Sequence, residues 1–175
     1  MKSTLEIVSD GLAARNVPIL LIGGMALHAF DVVRQTVDVD CLLADDDADI
    51  LRAVLTEAGY EEQEHTENFS RYVSPLVHLM DIDVLLVDKH TFTKMLERSR
   101  PVEVGHTVIH VPCAAHLIAL KLHAMKNDPK RETKDLSDII EILRNNPGAV
   151  PDDELQAIGV RHGPSGIYAR LKGSL

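Results

Sequence analysis

The pattern of apolar residues changes character near residue 112. Before that point, short apolar runs alternate with helical patterns. Leu5, Val8 and Leu12 recur at helical spacing over residues 3–15, and Asn16 and Pro18 then lead into "ILLIGG", a short apolar strand stopped by glycine and expected to lie centrally in a sheet. "MALHAF" reads as a helix, "TVDVDCLL" as a strand, and "DADILRAVLTEAGY" as a helix opened by aspartates and closed by Gly59. From 60 to 111 strand signals dominate: "FSRYV", the long "LVHLMDIDVLLVD", and "VEVGHTVIHV", which has the pattern of a hairpin about Gly105, with a helix over 90–98 between the last two. From Cys113 onward the pattern is helical, in "AAHLIALKLHAM", "KDLSDIIEILRNN" and "PDDELQAIG", separated by proline or glycine. These elements predict an α+β fold: a mixed β-sheet flanked by helices over residues 1–112, with a helical C-terminal lobe over 113–175 packed on it.

Composition bounds this picture. A chain of 175 residues, 45% of them hydrophobic, can bury one real core and a small second lobe, not two full domains. The formal charge of -9 argues against a sequence-independent nucleic-acid binder, whose affinity comes from Lys and Arg on phosphates. With 3% aromatics and no tryptophan, stacking platforms for single strands are also few. The start, "MKSTLEIVSDGLAARNVPILL", holds no apolar run near the ~18 residues that span a bilayer, so a cytoplasmic protein without a membrane partner is expected. Cys41 and Cys113 lack CxxC spacing and indicate neither a disulfide framework nor a zinc site.

Charges inside the apolar runs carry the candidate chemistry. In a strand, side chains alternate faces, so Asp38 and Asp40 project together, roughly 7 Å apart at Cα, while Val37, Val39 and Cys41 point the other way. "HLMDIDVLLV" likewise puts Asp81 and Asp83 on one face and Met80, Ile82, Val84 and Leu86 on the other. If the two strands are neighbours, three or four carboxylates converge. At ~4 Å and an effective dielectric of ~20, each like-charge pair costs about 4 kcal/mol, so the cluster needs a counter-charge or a proton. Mg²⁺, which binds one or two carboxylates together with substrate phosphates, supplies that charge. One DxD alone equally describes a solvated strand face. Gly23 and Gly24 end a strand and begin a helix, a geometry that offers backbone N–H groups to an anion and also serves as a plain turn.

Gly23-Gly24, thirteen intervening residues and Asp38-Val39-Asp40-Cys41 resemble the signature of the DNA-polymerase-beta-like nucleotidyltransferase superfamily, whose third acid lies on a later strand; "DIDVLL" offers one. Within it, "RQTVDVD" and "KLHAMKNDPKRETKDLSDI" are similar to the branch of abortive-infection nucleotidyltransferase toxins and related standalone transferases. The resemblance spans roughly residues 18–143. It implies a nucleotidyltransferase fold and Mg²⁺-dependent transfer of a nucleoside monophosphate from a nucleoside triphosphate to an acceptor hydroxyl, with release of pyrophosphate. In that scheme Asp38 and Asp40 bridge two ions, Asp83 holds the second and helps deprotonate the acceptor, and Gly23-Gly24 seat the β/γ phosphates. Asp81 shares a face with Asp83, but Asp83, directly followed by "VLL", fits the family pattern better. Gly24 stands where serine is common, which removes a phosphate-binding hydroxyl. The acceptor stays open among tRNA, a protein and a small molecule such as an antibiotic, and a toxin would add a cognate antitoxin protein. The alternative is a catalytically inactive relative that binds a nucleotide or a partner.

Two C-terminal helices add residues. At about 100° per residue, Ala114, Leu117, Ile118, Leu122 and Met125 form one stripe with Lys121 in its middle. Lysine is seldom buried without a partner, so Lys121 either snorkels or reaches an anion in a cleft between the lobes; the resemblance implies triphosphate. On that reading Lys121→Met leaves the ligand-free protein as stable as before or slightly more so. On the next helix Leu136, Ile139, Ile140 and Leu143 face inward, Asp135 lies at that face's edge and Asp138 on the polar side. Asp135 thus matches the family's late functional acid, orienting Lys121 or the acceptor, or else is an ordinary acid near a helix N-terminus. Lys126, Lys130, Arg131 and Lys134 form a basic run that suits either polyphosphate or solvent. Arg34, just before the DxD strand, matches the toxin branch as a phosphate contact or serves as a structural helix-end arginine. The histidines show no HExxH, and "RHGPSGI" lacks the order of a serine hydrolase nucleophile.

Overall fold

In the computed structural model, which describes residues 2–74 and 76–175, the chain divides into two units: Met1–Ala26 with Gln35–Pro112, and Leu27–Arg34 with Cys113–Leu175. The first unit opens with α1 (Thr4–Ala13), started by a capping box in which Ser3 Oγ accepts from the Glu6 N–H and Glu6 Oε2 accepts from the Ser3 N–H at 2.7 Å. Its Leu5, Val8 and Leu12 are buried, as their spacing predicts.

Seven strands then form one mixed sheet: β1 (Leu20–Leu21), β2 (Asp38–Ala44), β3 (Glu61–His65), β4 (Phe69–Val73), β5 (Asp81–Val87), β6 (Arg100–Val104) and β7 (Thr107–Val111), in the order β3-β4-β5-β2-β1-β7-β6. β2 lies in the middle of that order, parallel to β5 and antiparallel to β1, while β1 runs parallel to β7. The helices of this unit are α1, the single turn α2 (Gly23–Ala26), α3 (Ala48–Glu57) and α4 (Lys89–Glu97), the last capped by Asp88.

Three elements depart from expectation. "ILLIGG" gives only two paired residues, both fully buried inside the sheet. The long run before Val87 is a strand only from Asp81, because Met80 is already committed: its N–H donates to Thr4 Oγ1 at 2.8 Å and its carbonyl accepts from the Tyr60 hydroxyl at 3.1 Å. β3 is exposed at every residue and has no apolar period; pairing with β4 and the contacts of Glu62 with Arg52 and Tyr72 hold it. The hairpin of β6 and β7 turns at Gly105, where φ is 64°.

The second unit contains α5 (Ala114–Asn127), α6 (Glu132–Asn145), α7 (Asp152–His162) and α8 (Ile167–Ser174). The α5 stripe is buried in full. The segment Leu27–Arg34 joins this unit because Leu27, Phe30 and Val32 are buried and the end of α6 clasps its backbone: Asn146 Nδ2 donates to the Phe30 carbonyl at 2.8 Å and Asn145 Nδ2 to that of Asp31 at 2.7 Å. α8 has too short an apolar pattern to be read from sequence; only Ile167 and Leu171 are buried, one turn apart. No helix among the described residues is long and apolar enough to cross a membrane.

Candidate active site

β2 and β5 bring the acids together in register. Asp38 stands opposite Asp81 and Asp40 opposite Asp83, while Val39, Cys41, Ile82 and Val84 are fully buried on the other face. One carboxylate oxygen from each of Asp38, Asp40 and Asp83 lies within 4.8 Å of the others, all three residues being half-buried. Asp81 falls outside this group. Val37 is not on the core face as expected: it precedes β2 and is 83% exposed. Thr36 steadies the start of the strand, its hydroxyl donating to Asp38 Oδ1 at 2.7 Å.

Gly23 is tied to this cluster by space. Its φ is 63°, and a Cβ there would sit 1.9 Å from Asp40 Oδ2. A side chain at residue 23 therefore excludes Asp40 from its observed position, and the left-handed backbone would strain it as well. Next, the Ile22 N–H donates to the Asp40 carbonyl at 2.9 Å and fixes the turn against β2. The helix opened by Gly23 and the buried Gly24 is one turn long, so the dipole expected behind a phosphate is that of a single turn.

Arg71, which the sequence reading missed, pairs with two of these acids. It lies on β4 directly opposite Asp83; Nη1 donates to both Asp83 oxygens at 3.1 Å and Nη2 to Asp81 Oδ2 at 3.1 Å. Burial pushes the Asp83 carboxyl above the usual carboxylate range, Arg71 pulls against that, and Asp40, Asp38 and Asp81 add to the rise. Asp83 and Asp81 thus share one guanidinium. Oxygen donors only, convergent and partly desolvated, are the donor chemistry of a hard divalent cation, and the three carboxylates fit one.

The remaining candidates gather in the second unit, where they are satisfied by one another. Lys121 is buried, but by partners in the fold: its Nζ donates to Asp138 Oδ2 at 2.6 Å and to Asp135 Oδ1 at 3.2 Å. Arg34 Nη1 donates to Asp138 Oδ2 at 2.7 Å and Arg131 Nε to Asp135 Oδ2 at 3.0 Å. The result is a chain of alternating charges, Arg34-Asp138-Lys121-Asp135-Arg131. This corrects the reading of α6: its inward residues are Asp135, Asp138, Ile139 and Ile142, so Asp138 is buried rather than on the polar side. The helical projection put Asp138 outward, and the two cations that donate to it, Arg34 and Lys121, account for its burial. Lys126, Lys130 and Lys134 are exposed.

Comparison with known proteins extends this geometry. No curated protein matches the sequence significantly. Similar solved structures include the antibiotic-resistance factor ANT(2'')-Ia in solution, with a TM-score of 0.70 and 13% identity over 97% of this chain and 94% of that one. A crystal structure of the same factor with adenylyl-2''-tobramycin gives 0.63 and 13% over 96% and 94%. The lincosamide antibiotic adenylyltransferase LnuA, lincomycin-bound, gives 0.55 and 12% over 76% and 90%. At such identities the likeness is one of fold. The family described as an uncharacterised nucleotidyltransferase, however, matches residues 2–163, a span that holds Gly23, Asp38, Asp40, Asp83 and the charged chain of the second unit, and the protein belongs to that family of nucleotidyltransferases.

Proposed function

We propose that the protein transfers a nucleoside monophosphate from a nucleoside triphosphate to a hydroxyl of a small-molecule acceptor, releasing pyrophosphate, with Mg²⁺ as its cofactor. The observation that carries this reading is the convergence of Asp38, Asp40 and Asp83 beside a glycine whose missing side chain leaves Asp40 its place. These three residues would hold the metal, which when bound supplies positive charge against the triphosphate and acidifies the acceptor hydroxyl. Asp38 and Asp40, on a strand buried on its other face and tied by Thr36, keep their carboxylates oriented without rearrangement. Asp83, placed with the metal ligands, would also help to take the hydroxyl proton. The acceptor oxygen bonds to the α-phosphorus, the bond to the bridging oxygen breaks, and pyrophosphate leaves with that electron pair. Gly23 and Gly24 would seat the β and γ phosphates through the backbone N–H groups of their turn.

A small acceptor is favoured because two of the proteins of similar fold are named for action on antibiotics or hold an adenylylated one. A charge of -9 and 3% aromatics weigh against extended RNA. ATP is the first donor to test, and a nucleoside triphosphate donor places the reaction in the cytoplasm. A toxin role with an antitoxin partner rests on "RQTVDVD" and the late motif alone and takes second place. One observation favours the non-catalytic alternative, a nucleotide- or partner-binding module: Arg71 already compensates Asp83. Incubation with each α-labelled triphosphate, Mg²⁺ and a panel of hydroxylated antibiotics, tRNA and cell extract separates these readings. Label should move to a small molecule in the parent and not in Asp40→Asn; no transfer to any acceptor favours the binding module.

A further inference from the structure

Arg71 does more than fill a polar face. Its guanidinium takes both oxygens of Asp83, which belongs to the convergent acids, and with its other nitrogen one oxygen of Asp81, which does not. A fork that spans a ligand and a non-ligand can release the first and keep the second. Asp81 would then be the position on which the cation rests while Asp83 is engaged elsewhere, which explains why two acids share a face where the metal site uses one. Arg71 is about one-third exposed, so its movement off Asp83 costs little burial.

We propose that Arg71 is a built-in counter-ion that competes with the metal for Asp83 and, with Asp81 as its alternative partner, sets how readily the acidic site fills. The proposal rests on the metal site of the transfer reading above. Arg71 is a positioning residue here: it acts through Asp83 and need not touch substrate. Without metal it supplies a counter-charge to Asp81 and Asp83; with metal its continued hold on Asp83 would be redundant.

The test is Mn²⁺ binding without nucleotide, by titration calorimetry, to the parent, Arg71→Gln, Asp83→Asn and the double variant. Arg71→Gln should tighten binding on the order of tenfold, as expected when a partly exposed charge-assisted contact no longer competes for the ligand. In the Asp83→Asn background the same change should have little effect, because the competed ligand is gone. Equal tightening in both backgrounds would mean simple through-space repulsion and overturn the competition, leaving the transfer reading intact. No tightening in Arg71→Gln also overturns it. Mn²⁺ binding by neither the parent nor Arg71→Gln would remove this proposal together with the metal site. If Arg71→Gln fails to fold, Arg71→Lys keeps the charge and lacks the fork; it should show a smaller tightening, and an unchanged affinity there counts against competition.

Discussion

The two charged clusters of this protein are built from the same residue types and arranged differently. On β2 and β5, Asp38, Asp40, Asp81 and Asp83 share one face, and Arg71 pairs with Asp81 and Asp83. In the second unit Lys121, Arg34 and Arg131 alternate with Asp135 and Asp138, and each buried carboxylate has two cations. In the first arrangement the acids converge on one another; in the second each buried acid is interleaved with cations. Burial of a charged group is therefore accounted for in the second by partners within the fold, while convergence of like charges is what draws attention to the first.

The largest effect expected from breaking this contrast lies in the balanced cluster. Lys121→Met leaves Asp135 and Asp138 buried with one cation each, so a loss of about 3–5 kcal/mol is expected in urea unfolding. This reverses the sequence-based expectation of an unchanged or raised stability. A variant as stable as the parent would show that the lysine is held for a ligand after all.

A smaller loss is expected at the edge of the acidic cluster. Gly23→Ala needs a left-handed backbone at a non-glycine residue, a cost of about 1–2 kcal/mol, and its Cβ would displace Asp40. Melting should fall modestly while nucleotidyl transfer falls far more steeply. Proportionate losses in both would make Gly23 a turn residue only.

The subtlest effect is in pH. Asp83 binds a proton more tightly folded than unfolded, since burial and three neighbouring acids outweigh Arg71. Its contribution to metal-free stability is therefore full below the ordinary carboxylate pKa of about 3.9 and lost as pH rises through the higher folded value. Asp83→Asn should flatten that part of the stability-pH curve, measured by denaturant midpoint in chelator. An identical slope in the variant would contradict the assignment.

Parts of this were legible in the sequence. The alternations in "VDVD" and "DIDV" gave the shared faces of Asp38 with Asp40 and of Asp81 with Asp83, because period two follows from strand geometry alone. That the two strands are parallel neighbours in register is a property of the whole sheet and no local pattern carries it. Gly23 was marked by its motif, yet the reason for it, the carboxylate against its Cα, needs the turn and β2 in place. Arg71 sits in "FSRYV" between Ser70 and Tyr72, both buried, so alternation put it on the polar face; only the pairing of β4 with β5 aims it at Asp83. Asp138 was misplaced because an apolar projection cannot see that Arg34, distant in sequence, would meet it.

The most direct measurement pairs two readings on Asp40→Asn: the rate of label transfer from α-labelled ATP across a Mg²⁺ titration, and the melting temperature in chelator. Asparagine keeps the shape and removes one charge from a crowded cluster, so the metal-free protein should melt at or above the parent temperature while Mg²⁺-dependent transfer, saturable in the parent, disappears. Transfer that persists in folded Asp40→Asn, or that proceeds equally in chelator, would contradict a metal-dependent acidic site on β2 and β5.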